Sequence, residues 1–99
     1  MAFATVPVPD YMMESGADHV AVIASSDFGR RRFCRNCGSP LAMQVDHQPD
    51  TIDLTIATLD HPERVAPGYH IFYSCRIPWG EPSDTLPRHD RFRPDTRGL

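Results

Sequence analysis

The sequence predicts a small, mainly β domain built from antiparallel strands, and three observations carry that prediction. Ten prolines in 99 residues, many near segment ends (Pro7, Pro9, Pro40, Pro49, Pro62, Pro67 and Pro78), interrupt the chain too often for long helices. Residues 51–59 alternate Ile52, Leu54 and Ile56 with Thr51, Asp53 and Thr55, the period of a strand with one buried and one wet face. The length is close to the commonest domain size and leaves room for one hydrophobic core.

Taken in order, residues 19–24 (His-Val-Ala-Val-Ile-Ala) and 41–45 (Leu-Ala-Met-Gln-Val) are predicted strands, being rich in β-branched and apolar residues. Residues 46–50, with Asp46, Pro49 and Asp50, form the expected hairpin connection to the strand at 51–59. Residues 61–68 read as a loop with one helical turn. A further strand is expected over 69–75, where Tyr69, Ile71, Phe72 and Tyr73 cluster. From Gly80 onward proline and arginine are frequent and apolar periodicity is lost, so this part is expected to wrap loosely or fray, with the domain proper spanning 1–90 and a poorly ordered tail over 91–99.

A 40% hydrophobic content with five Phe, three Tyr and one Trp is enough for a core, although domains of this size are marginal and are often held by a metal or a partner subunit. The net charge of −3 argues against a phosphate-binding surface, so nucleic acid is not an expected partner. All ten lysine-or-arginine positions are arginine, and no lysine occurs. The N-terminal residues lack the basic flank and apolar run of a signal peptide, and no window approaches the length of a membrane helix, so a soluble, cytoplasmic protein is expected.

Chemistry concentrates at the cysteines. In Phe33-Cys34-Arg35-Asn36-Cys37-Gly38, two intervening residues let a tight turn aim both sulfurs at one point, and the glycine permits the positive φ that closes such a knuckle. Zinc is the reading this spacing favours, and a redox-active or accidental pair is the alternative. A structural zinc takes four ligands, so Cys34 and Cys37 supply half a site. Arg30, Arg31, Arg32 and Arg35 lie nearby, and positive charge favours thiolate. Cys75, alone among aromatics, is expected to pack as a small hydrophobe. His19, His47, His61, His70 and His89 show no ligand spacing to one another; His70 is the one least easily set aside. Pro78-Trp79 is read as turn or core packing ahead of an apolar ligand wall. Nucleophile-elbow, phosphate-loop and HExxH signatures do not occur.

Several blocks together resemble the glutathione-dependent formaldehyde-activating family, also called the centromere protein V type: Arg32-Phe33-Cys34-x-x-Cys37-Gly38-Ser39-x-Leu41, then residues 51–60, then His70-Ile71-Phe72 with Ser74, Arg76, Pro78 and Trp79, and finally Asp84 with Leu86-Pro87. The resemblance covers about residues 3–90. It implies a β-tent of antiparallel strands, a structural zinc held by four cysteines, and, in competent members, a second zinc–cysteine site where a glutathione thiol meets formaldehyde. Cys34 and Cys37 match the second cysteine pair of the structural site. The family's earlier cysteine groups have no counterpart, so the fold is expected to be an incomplete version of the family's, in a chain that begins after those groups.

The resemblance therefore implies a zinc-binding domain that is non-catalytic as this chain alone, with Cys34 and Cys37 as half of a structural zinc site that is partial or shared between subunits. The alternative is a carbon–sulfur lyase acting on a glutathione–aldehyde adduct of the S-hydroxymethylglutathione type, its missing ligands supplied by another chain or segment. A homodimer and a small-molecule thiol such as glutathione are the expected partners.

Overall fold

The apolar and β-branched runs form five strands in the computed structural model, which describes residues 1–94. They are β1 (Phe3–Pro7), β2 (Val20–Ala24), β3 (Gly29–Cys34), β4 (Pro40–Val45) and β5 (Thr51–Thr55). One sheet contains them all, in the order β1-β5-β4-β3-β2, and every neighbouring pair is antiparallel. The mainly β antiparallel class expected from the sequence is what the structure shows. The chain divides into two compact units, Met1–Val65, which holds the sheet, and the part from Ala66 onward.

Sequential hairpins join β2 to β3, β3 to β4 and β4 to β5, while β1 lies against the far side of β5. Ala42 faces Leu54 across the β4–β5 pair, and Ile52, two residues from Leu54, shares that face. Ala42 (3% exposed), Ile52 (2%) and Ile56 (7%) make the apolar centre of this unit, joined by buried Thr55 and Gln48. Large apolar side chains elsewhere stay in water, among them Val22 and Ile23 on β2, both more than half exposed.

The strand expected over 51–59 ends at Thr55, and Ile56–Thr58 forms a single 3₁₀ turn. The sheet runs out of partner there: the Ile56 N–H bonds Ala2 O, just before β1 begins, and the Thr58 hydroxyl then donates to Thr55 O at 2.9 Å. The expected strands at 19–24 and 41–45 are β2 and β4, with His19 drawn into a 3₁₀ turn over Ala17–His19. Residues 46–50 make the β4–β5 connection, held by Gln48 N–H to Val45 O and by the Gln44 side-chain amide to Pro49 O. The helical turn within 61–68 is Pro62–Arg64.

In the unit from Ala66 onward, the strand expected over 69–75 is absent. His70 makes one parallel bridge to Arg88, Phe72 takes a left-handed φ of 52°, and Tyr73–Cys75 is a 3₁₀ turn. A left-handed aromatic residue is costly. Phe72 is held there by its N–H to Arg91 O and by edge-on packing on Phe92 at 4.8 Å. Residues 87–91 are tied to 70–74 by main-chain bonds, among them His70 N–H to Pro87 O and Tyr73 N–H to His89 O. That pairing replaces the loose wrapping expected for this stretch. Of the tail expected over 91–99, residues 95–99 lie outside the described residues. Among the described residues no helix is long and apolar enough to cross a membrane.

Candidate functional site

The β3–β4 hairpin is the cysteine knuckle. Cys34 closes β3, its N–H bonding Ser39 O at 2.9 Å and its C=O receiving the Gly38 N–H at 2.7 Å. Gly38 sits at φ 79°, the left-handed conformation for which glycine pays no Cβ penalty, so the sequence expectation for this residue holds. A register shift between Arg32 and Phe33, which opposes Pro40, bends the strand into the turn.

Two further contacts dock the loop onto the start of β2. The Arg35 N–H donates to His19 O at 2.8 Å, and the Asn36 amide donates to His19 Nδ1 at 2.9 Å. The Arg35 guanidinium reaches Val20 O at 3.3 Å. His19 therefore acts as the seat of the knuckle, a role its sequence position did not reveal.

Cys34 is half-buried and Cys37 exposed, and both are free thiols. The Cys37 thiol lies 3.2 Å from Ser39 Oγ. Its pKa is lowered, first by the Ser39 hydroxyl, then by the Ser39 backbone and by the neighbouring Cys34 thiol, each of which favours the thiolate. Ser39 stands in the sequence block that carries the family resemblance, but its spacing from Cys37 gave it no role; the folded hairpin brings its hydroxyl to the Cys37 thiol. The nearby arginines divide: Arg30 pairs with Asp46 at 3.2 Å, while Arg32 Nη1 is buried with no hydrogen-bond partner among the described residues.

A dithiol with one thiolate already favoured suits zinc, whose preferred ligands include cysteine sulfur. It fills two of the four positions that a structural zinc requires. Among the described residues no group of three or more His, Cys, Asp and Glu side chains could hold a metal ion. The described residues thus fit half of a zinc site and do not compose a complete one.

The remaining candidates lie in the unit from Ala66 onward. Cys75 is exposed, because the 3₁₀ turn that replaces the expected strand takes it out of any core. His70 Nε2 contacts the Asp84 carboxylate at 2.9 Å. Asp84 is held below the usual carboxylate range, first by the Leu86 N–H and then by His70. Tyr73 donates to Glu81, lowering the Glu81 pKa and raising its own, and Arg76 stacks 3.9 Å over the Tyr73 ring while pairing with Glu81. These groups satisfy one another. Trp79, in the Pro78–Gly80 turn, is 85% exposed, so the packing expected for it is not found.

Comparison with curated proteins and with solved structures returns no match. The family model described as "Glutathione-dependent formaldehyde-activating enzyme" matches residues 1–75, which include all five strands and the knuckle. Members of that family generally bind zinc. Three quarters of the chain follows the pattern of that family model, with Cys34-x-x-Cys37-Gly38 at the turn of a β-hairpin, and the chain belongs to the glutathione-dependent formaldehyde-activating family.

Proposed function

We propose that this chain is a zinc-binding domain of its family in which Cys34 and Cys37 act as a two-thiolate half-site, and that alone it does not catalyse the reaction for which the family is described. The observation that carries this reading is the β3–β4 hairpin, closed by the Gly38 N–H to Cys34 O bond with Gly38 at φ 79°, which holds Cys34 and Cys37 at one turn, with Ser39 beside Cys37 favouring its thiolate. Thiolate is the metal-binding form of cysteine. The open positions are left to water or to a small-molecule thiol such as glutathione.

Zinc content of the purified chain tests the reading. Metal is expected to be retained by the wild type and lost in Cys34→Ser and in Cys37→Ser; retention in both variants would place the metal elsewhere. The second reading, a carbon–sulfur lyase acting on a glutathione–aldehyde adduct, draws support from the family match. Incubation with glutathione and formaldehyde distinguishes the two: adduct formation at the buffer rate supports the half-site reading, and acceleration supports the lyase.

A further inference from the structure

The open edge of the sheet at β2 carries an unused complementarity. The Arg35 N–H to His19 O and Ser25 N–H to Gly29 O bonds bracket β2 in a single antiparallel ladder with β3. In such a ladder hydrogen-bonded and non-bonded positions alternate, so residues 19, 21, 23 and 25 are bonded to β3. The N–H and C=O groups of Val20, Val22 and Ala24 therefore point to the open side. There the Val20 N–H bonds Ala17 O and Val20 O is met by the Arg35 guanidinium, which leaves, among the described residues, the groups of Val22 and Ala24. Natural sheet edges are usually blunted by charge, proline or a bulge, and Val-Ala-Val-Ile-Ala has none of these. Val22 is 55% and Ile23 54% exposed.

Exposed charges stand at both ends of this edge. Arg35 lies at the Val20 end, where the Asp18 carboxylate lies 3.7 Å from His19 Nε2, and Asp27 lies in the turn that follows Ala24. An antiparallel two-fold about Ile23 sets Val22 opposite the second copy's Ala24, satisfies the free main-chain groups of both, and brings the two Ile23 side chains together as a close cross-strand pair. The same operation sets Val20 opposite the second copy's Ser26, so that Arg35 of each copy meets Asp27 of the other. An edge with an arginine beside its first residue, an aspartate beyond its last and apolar side chains between them fits a second copy of itself.

We infer that the chain self-associates as a two-fold dimer through β2, extending the sheet across Ile23 and closing it with reciprocal Arg35–Asp27 pairs. The inference stands apart from zinc. In this dimer the two Val20 residues are separated by six strand positions, about 20 Å at roughly 3.4 Å per residue, so each copy keeps its own cysteine pair. An edge contact of this kind lies at the weak end of specific interfaces, and association follows concentration.

Sedimentation velocity of the full chain between about 10 μM and about 1 mM tests it. The mass is expected to rise from 11.2 kDa towards twice that value with concentration. Ile23→Lys is expected to hold the chain at monomer mass. Asp27→Arg or Arg35→Asp alone is expected to weaken association by about tenfold through loss of two symmetry-related pairs, with the double reversal restoring it. Restoration cannot arise from misfolding, so the charge swap remains decisive if Ile23→Lys fails to fold. A wild type that stays monomeric throughout, or a dimer that neither single reversal weakens, would overturn the inference.

Discussion

At Cys37 the sequence supplies a thiol and the turn supplies its reactivity. The Ser39 hydroxyl is the main cause of the lowered pKa, so Ser39→Ala is expected to raise it. Alkylation by iodoacetamide followed against pH reads this directly: the midpoint for Cys37 should move to higher pH in the variant, and an unmoved midpoint would remove Ser39 from the account. Gly38 carries the turn itself at φ 79°. Nothing would touch an added Cβ there, so Gly38→Ala should cost only the left-handed backbone penalty, about 1–2 kcal/mol in denaturant unfolding. The knuckle and its glycine were legible because spacing and φ preference are local. The Ser39–Cys37 contact and the seat on His19 were not, since both depend on how a hairpin folds back and which strand lies beside it.

Among the strands, β5 was the most legible because alternation of Ile52 and Leu54 with polar residues records a sheet with two unlike faces. Ile52, 2% exposed, is its anchor, and Ile52→Ala is expected to destabilise the chain by about 2–4 kcal/mol in equilibrium unfolding. The end of β5 was not legible, because it is set by where β1 begins rather than by β5's own residues. β3 escaped notice for a different reason: Arg30, Arg31 and Arg32 occupy strand positions whose apolar partners lie on β2 and β4, for example Val22 and Ala42 beside Arg32. Residues 69–75 misled in the opposite direction. Their composition favours a strand, but the left-handed Phe72 and its packing on Phe92 turn the chain instead.

Taken whole, the molecule has a thin core: among the described residues no side chain is less than 2% exposed, and a few kcal/mol is a large share of a small domain's stability. Surface carboxylate contacts add to it in the unit from Ala66 onward. Glu81 and Asp84 are both held below the usual carboxylate range, by the Tyr73 hydroxyl and by the Leu86 N–H respectively. A lowered carboxylate pKa contributes stability that is present above the ordinary value and is lost as pH falls through the lowered one. Stability measured by denaturant titration should therefore decline as pH falls below about 4, and Asp84→Asn should flatten part of that slope; an unchanged slope would contradict the assignment. The central proposal is that the knuckle acts as a two-thiolate half-site, and the family match and the two free thiols at one hairpin turn support it. Zinc K-edge X-ray absorption of the zinc-loaded chain, without added thiol, tests it most directly. The account predicts two sulfurs per zinc at about 2.3 Å with lighter atoms completing the shell; four sulfurs per zinc, or no retained metal, would contradict it.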